Sequence, residues 1–141
     1  MELALWLHDA VYDPRARDNE ERSAEWAKSL AVKKGLDADR AAGLVLATKH
    51  ELSTLTPDAR LVVDIDLSIL GQPAERFDKY ERGIRFEYAW VSQQKFREVR
   101  AKILEGFLER PAIYGIAHFR VKYEAPAREN LRRSIRRLKG L

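Results

Sequence analysis

The stretch LALWLHDAVYDPRARDNEERSA, residues 3–24, contains most of the first predicted helix, the link after it and the start of the second predicted helix. Apolar side chains dominate residues 1–11, and a helix that is apolar on most sides is normally buried. The polar residues around Pro14 predict a loop after this helix. His8 and Asp9 lie inside the apolar run, which makes them the first candidates for a functional site.

Helical signals continue along the rest of the chain. A second helix is predicted over residues 20–34, with Asp18 and Glu21 as a capping box and Gly35 as its stop. Further helices are predicted over residues 38–50, 57–70, 73–88, 93–109 and 114–138, with Asp37, Thr56 and Ser92 as N-caps. Pro126 should kink or split the last of these helices. Because no alternating strand pattern occurs, the sequence predicts an all-α helical bundle.

The composition fits one helical domain spanning residues 1–141. Of these residues 45% are hydrophobic, which suffices for one core, and Trp6, Trp26 and Trp90 are expected inside it. No apolar run is long enough for a membrane span, and no secretory signal begins the chain. Cysteine is absent, which excludes disulfides and thiolate metal sites. We therefore expect a cytoplasmic protein without membrane contact.

Basic residues are concentrated at the end of the chain. The formal net charge is +4, and residues 127–141 hold six basic side chains against the single acid Glu129. Such a segment can bind phosphate or nucleic acid, but the helix dipole also favours cations near a helix C-terminus. Because no nucleic-acid-binding motif accompanies the segment, nucleic acid is not the expected partner.

Acidic side chains interrupt two apolar segments in a way that suits a metal ion. A buried carboxylate such as Asp9 needs a cation, and a buried imidazole needs hydrogen bonds. In RLVVDIDLSILG, residues 60–71, Asp66 is the better candidate for a buried ligand and Asp64 the weaker one. The imidazole of His8 and two carboxylates would suit Mn, Fe, Co, Zn or Mg. A hydrogen-bonded core histidine is the competing interpretation.

A series of blocks resembles the HD-domain superfamily and, within it, the small metal-dependent HD phosphohydrolases. The blocks are residues 3–24, LATKH at 46–50, DIDLSILG at 64–71, FDKYERGIRFEYAWV at 77–91, ILEGFLERPAIYG at 103–115 and ARENLRRSIRRL at 127–138. They are distributed over nearly the whole length of the chain, in the family's order. The resemblance implies a helical bundle with a divalent metal held by a His-Asp doublet, matching His8 and Asp9, and by a later aspartate, matching Asp66.

The family's pattern includes a further metal-binding histidine on an upstream helix, for which this chain has no match. By the resemblance, Met1 corresponds to a position within the family's helix that carries the doublet. Two explanations stay open: the natural chain begins further upstream, or this chain is a truncated relative with a weakened or lost site. A helix that starts at Met1 without a cap favours the first. His50 is a conceivable substitute ligand.

Three further residues are candidates for catalysis. Glu21 matches a position that is often polar near the metal in HD enzymes, where it would orient a water or act as general base. Its capping box with Asp18 is the alternative. At the end of the third predicted helix, Lys49 would bind a phosphate and His50 would donate a hydrogen bond or a proton. The helix dipole offers a structural explanation for both cations.

These observations lead to two functional expectations. The first is a metal-dependent phosphohydrolase of HD type, acting on a phosphate ester or nucleotide-like small molecule. The second is a non-catalytic, degenerate or truncated HD module that acts in oligomerisation or binding. An uncovered apolar helix at the start of the chain would favour self-association, so a homo-oligomer is among the expected partners.

Overall fold

The computed structural model describes residues 1–49 and 56–141, and these residues form helices without any β-strand. The predicted all-α fold is therefore confirmed. The chain divides into two compact units, residues 1–66 and 67–141, called here the N-terminal unit and the C-terminal unit. The HD-like arrangement and the single-domain organisation stay predictions. Within the described ranges, no helix combines the length and the apolar character needed to cross a membrane.

Four α-helices and a 3-10 turn form the described part of the N-terminal unit. They are α1 (Glu2–Leu7), α2 (Asn19–Lys33), α3 (Ala38–Leu46), the 3-10 turn Ala47–Lys49 and α4 (Pro57–Asp66). Two predicted N-caps are confirmed by their hydrogen bonds. The Asp37 carboxylate accepts from the Arg40 N–H at 2.9 Å, and the Thr56 hydroxyl accepts from the Ala59 N–H at 3.2 Å. These caps depend on residues only three positions apart, which makes them readable from sequence.

Alanine, valine and leucine side chains form the core of the N-terminal unit. Its buried members are Ala4, Leu7, Ala24, Ala27, Leu44, Val45, Ala59 and Val62. Alanine at the contact positions lets neighbouring helices approach closely and leaves little room for large rings. Trp6 is accordingly 79% exposed, and Trp26 is exposed as well. The prediction that these tryptophans lie in the core is wrong.

The C-terminal unit contains longer helices. Its elements are the 3-10 turn Leu67–Gly71, α5 (Ala74–Glu87), α6 (Gln93–Glu109), α7 (Ala117–Phe119), the π-helical segment Arg120–Glu124 and α8 (Ala125–Lys139). The predicted cap at Ser92 is confirmed, because its hydroxyl accepts from the Lys95 N–H at 3.4 Å. The largest buried side chains are Tyr114, Phe77, Leu104 and Leu131. Trp90 is exposed, so the third predicted core tryptophan is also wrong.

Two buried polar side chains fix the turn that opens the C-terminal unit. The Tyr114 hydroxyl donates to the Leu67 carbonyl at 3.0 Å. The Asn130 side-chain amide donates to the carbonyls of Leu70 and Gln72, both at 2.8 Å. Carbonyls at the end of a helical turn lack partners in their own helix, so these bonds satisfy groups that would otherwise be buried without one.

The predicted interruption at Pro126 takes the form of the π-helical segment Arg120–Glu124. Proline has no N–H to donate, and its ring crowds the carbonyl four residues earlier. A wider π turn absorbs this mismatch, and helical structure runs from residue 117 to residue 139. The proline therefore changes the local winding of the helix without splitting it.

Many basic side chains of α8 form ion pairs inside the C-terminal unit. Arg133 and Arg137 donate to the two carboxylate oxygens of Asp78 at 2.8 and 2.9 Å. Burial opposes the ionisation of Asp78, but the hydrogen bonds from both arginines outweigh it and hold its pKa below the ordinary value. Two further pairs are Lys139 with Glu105 and Arg128 with Glu124. Much of the basic character noted in residues 127–141 therefore contributes to packing.

Candidate functional site

His8 and Asp9 lie in a turn after α1, not inside a longer helix as predicted. Helix α1 ends just before His8. The buried hydroxyl of Ser23, on α2, accepts from the Val11 N–H at 3.0 Å and donates to the Val11 carbonyl at 3.2 Å. These bonds hold the chain against α2, where a continued helix would have used the same backbone groups. No local sequence pattern indicates that a serine within a helix bonds to a backbone twelve residues away, so the role of Ser23 could not be predicted.

The imidazole of His8 contacts two carboxylates and a carbonyl. Its Nε2 is 3.2 Å from Oδ2 of Asp9 and 3.4 Å from Oδ1 of Asp66. Its Nδ1 donates to the Leu5 carbonyl at 2.9 Å. Carboxylates and carbonyls only accept hydrogen bonds, so both ring nitrogens carry protons in this arrangement. His8 is therefore an imidazolium between two acids.

These contacts raise the pKa of His8 from 6.5 to about 10. The hydrogen bond with Asp66 is the largest cause and that with Asp9 the next, while burial of the ring opposes them. Because the pKa is raised, the ion pairs stabilise the fold fully below about pH 6.5, and this contribution is lost as the pH rises through about 10. At neutral pH the ring in this arrangement is positively charged.

The two aspartates of α4 differ in burial, and the order is the reverse of the one expected. Asp64 is 1% exposed, whereas the side chain of Asp66 is 27% exposed. Residues two positions apart point to nearly opposite sides of a helix, so Asp64 and Asp66 cannot share the buried face of α4. Asp66 is nevertheless the aspartate that contacts His8. Its assignment as a metal ligand, in place of Asp64, stays a prediction.

Glu21 and Lys49 form an ion pair with each other, since Nζ of Lys49 donates to Oε1 of Glu21. This hydrogen bond lowers the pKa of the Glu21 carboxyl. A carboxylate with a lowered pKa is a weaker general base. While the pair is formed, the charge of Lys49 is also offset. The roles of Glu21 as general base and of Lys49 as phosphate ligand stay predictions, and His50 lies outside the described residues.

The capping box predicted at the start of α2 is wrong. Asp18 is the N-cap residue, but its side chain makes no capping hydrogen bond, and Glu21 turns to Lys49 instead. Asn19 fixes the preceding loop by exchanging two hydrogen bonds with the backbone of Asp13, at 2.8 and 2.9 Å. A tertiary ion pair and a local loop contact therefore form in place of the predicted capping box.

The imidazole of His8 and the carboxylates of Asp9 and Asp66 are ligand types that bind divalent cations, but they do not form a complete coordination sphere. One imidazole nitrogen and carboxylate oxygens are accepted by Mn, Fe, Co, Zn and Mg. Two ligand atoms that each lie about 2.1 Å from a metal, at an angle of roughly 90–110°, are about 3.0–3.4 Å apart. The distances from Nε2 of His8 to the carboxylate oxygens of Asp9 and Asp66 fall in this range. As the side chains are arranged within residues 1–49 and 56–141, however, no group of three or more His, Cys, Asp or Glu residues is placed to hold a metal ion.

Comparison of the chain with protein-family models, with curated proteins and with solved structures finds no match. Membership of the HD superfamily therefore stays a prediction based on the sequence blocks. The contacts of His8 with Asp9 and Asp66 are a separate observation that does not depend on that resemblance.

Proposed function

We propose that the chain is a metal-dependent phosphohydrolase of HD type whose divalent metal is held by His8, Asp9 and Asp66. The observation that carries the proposal is the meeting of these three side chains, with both carboxylates within 3.4 Å of Nε2 of His8. A core histidine needs hydrogen-bond partners, but it does not need two acids. The same three residues are the ones that the sequence resemblance singles out, which adds an independent line of support.

Each of the three side chains would have a separate task. His8 would lose the proton from Nε2, while Nδ1 keeps its hydrogen bond to the Leu5 carbonyl and so holds the orientation of the ring. Asp66 would contribute a carboxylate from the end of α4. The Asp9 side chain is 71% exposed, so its carboxylate can rotate at small cost to complete the set. The chemistry that a bound ion would supply is polarisation of the substrate's phosphoryl oxygen and a lowered pKa of a bound water.

The ion pair between Glu21 and Lys49 would serve as a phosphate-responsive contact in the same N-terminal unit. A phosphate ester or nucleotide-like substrate offers Lys49 an acceptor of higher charge than the Glu21 carboxylate. Transfer of Lys49 to the substrate would release Glu21, whose pKa would then return towards its ordinary value. Glu21 would become a better base once substrate is present.

A non-catalytic helical module is the second candidate function. It is favoured by the finding that no group of three metal-binding side chains in the described ranges could hold an ion. In that case the contacts of His8 serve stability alone, and Asp9 and Asp66 act as partners of an imidazolium. Hydrolysis measurements separate the two candidates.

The proposal predicts hydrolysis that depends on both a metal and Asp66. The chain and its Asp66→Ala variant are assayed with p-nitrophenyl phosphate, in Mn²⁺, Co²⁺, Mg²⁺ or Zn²⁺ and in EDTA. We expect turnover with at least one metal, loss of turnover in EDTA, and a decrease of about 100-fold or more in the variant, because a ligand is removed.

Asp39→Ala is the matched control for this assay. Asp39 is an exposed aspartate of the same unit that pairs with Lys28, so its removal changes the charge equally without touching His8. We expect its turnover to equal that of the unmodified chain. Hydrolysis that is as fast in Asp66→Ala as in Asp39→Ala would contradict the metal assignment, and no turnover in any chain would favour the non-catalytic module.

A further inference from the structure

A cavity in the C-terminal unit concentrates positive charge. It has a volume of about 290 Å³ and is lined by side chains of α5, α6 and α8. Its charged lining consists of four arginines, Arg82, Arg85, Arg97 and Arg137, and two acids, Asp78 and Glu81. This volume is near the lower end of the range for small-molecule sites. The excess of arginines indicates a negatively charged occupant.

Both acids in the lining already have cationic partners. Asp78 accepts from Arg133 and Arg137. Glu81 pairs with Arg100, and its second oxygen accepts from the Ser134 hydroxyl at 3.2 Å. The negative charges of the lining are therefore offset within the unit. Within the lining as described, no further carboxylate is present to balance Arg82, Arg85 and Arg97.

Three arginines of the lining retain their charge for an external anion. Arg85 donates to the carbonyls of Tyr88 and Val91 at 2.6 and 3.2 Å, and its guanidinium lies 4.9 Å from the ring centroid of Phe96. These neutral partners hold the group in place without cancelling its charge. Neither Arg82 nor Arg97 forms an ion pair with a residue of the described ranges 1–49 and 56–141.

We propose that this cavity, called here the arginine pocket and defined by Arg82, Arg85 and Arg97, binds the phosphoryl group of a small anion. The planar N–H donors of guanidinium groups match pairs of phosphate oxygens, which an ammonium group does not. A concave site of this volume favours a small ligand over a polymer. Much of the neighbouring positive charge of α8 is used in ion pairs, which argues against an extended basic surface for nucleic acid.

The arginine pocket can be tested by titrating the ¹⁵N-labelled chain with inorganic phosphate at constant ionic strength. EDTA is present so that phosphate bound through a metal does not contribute, which keeps the result separate from the proposed hydrolase function. We expect saturable shifts of the side-chain Nε–Hε signals of Arg82, Arg85 and Arg97. The signal of Arg132, an exposed arginine of α8 outside the pocket, should stay in place.

Substitution provides the quantitative part of the test. Arg97→Gln is expected to weaken phosphate binding about tenfold, because one charge-assisted contact is lost. Arg132→Gln removes the same charge from the same unit and should leave the affinity unchanged. If Arg97→Gln fails to fold, Arg82→Gln replaces it with the same expected effect.

A nucleoside monophosphate titrated in parallel distinguishes the source of the phosphoryl group. Tighter binding than inorganic phosphate identifies a phosphorylated small molecule, and equal affinity identifies the free ion. Three outcomes would overturn the proposal. The first is that chloride reproduces the shifts, and the second is that Arg97→Gln and Arg132→Gln bind phosphate with equal affinity. The third is that the chain binds a DNA duplex in preference to phosphate and that Arg132→Gln weakens this binding as much as Arg97→Gln does.

Discussion

Replacement of Gly71 by alanine is expected to destabilise the C-terminal unit by about 2–3 kcal/mol or more. A Cβ at Gly71 would lie 2.6 Å from Cβ and 2.7 Å from the carbonyl oxygen of Tyr123. These atoms cannot move by a side-chain rotation. Tyr123 also packs against Tyr114 and Phe119, with ring centroids 5.9 and 5.7 Å apart. Relief of the clash would therefore displace the π-helical segment and its aromatic contacts.

Gly106→Ala, in the same unit, is expected to change the free energy of unfolding in the opposite direction. Gly106 lies inside α6, and an added Cβ there would meet nothing within 4 Å. Alanine in a helix interior is favoured over glycine by about 0.5–1 kcal/mol, so this variant should be more stable than the unmodified chain. Urea unfolding followed by circular dichroism measures both changes. Equal stability of the two variants would show that the close approach of Gly71 to Tyr123 is not a feature of the folded protein.

Replacement of His8 by glutamine is expected to have the largest effect on metal affinity. The imidazole contacts both Asp9 and Asp66, and a glutamine amide is a much poorer metal ligand. We expect the dissociation constant for the preferred divalent ion to rise about 100-fold or more. Competition with a chromophoric chelator measures this change.

His118→Gln is the matched histidine control for that experiment. His118 is an exposed residue of α7, in the C-terminal unit, and its ring stacks edge-on against Phe119. We expect its loss to leave the metal affinity unchanged. A similar loss in both variants would indicate non-specific binding to surface histidines, and no loss in His8→Gln would remove His8 from the site.

Local signals in the sequence predicted the helices well, because their physical causes lie within a few residues. The caps at Asp37, Thr56 and Ser92 each depend on an N–H three positions away. Pro126 acts on the carbonyl four positions before it, which made some interruption predictable. The π-helical form of that interruption could not be predicted, because it depends on how the surrounding helix packs.

Tertiary contacts explain the features that the sequence did not predict. Helix α1 ends just before His8, and Ser23 then binds the backbone of Val11, a residue predicted to continue that helix. Glu21 forms an ion pair with Lys49, which is distant in sequence, and does not form the predicted capping box. Trp6 is exposed because the helix contacts are made by alanine and leucine. Each outcome depends on partners that no local pattern identifies.

The candidate site was accessible to sequence reasoning only in part. Helical periodicity separated Asp64 from Asp66 but misjudged which of them is buried. The meeting of Asp66 with His8 could be expected from the family resemblance, not from spacing. The arginine pocket could not be predicted from the sequence, because its defining arginines come from two different helices, α5 and α6, and not from the basic segment 127–141.

The most direct test of the proposed metal site is the metal content of the purified chain, measured by elemental analysis beside its Asp66→Ala variant. We expect about one divalent ion per unmodified chain and close to none in the variant, because the site needs both the carboxylate and the imidazole. Equal metal in the two proteins would contradict the assignment of Asp66. No metal in either, even after incubation with Mn²⁺, Co²⁺ or Zn²⁺, would contradict the metal site and leave the His8 contacts with a structural role.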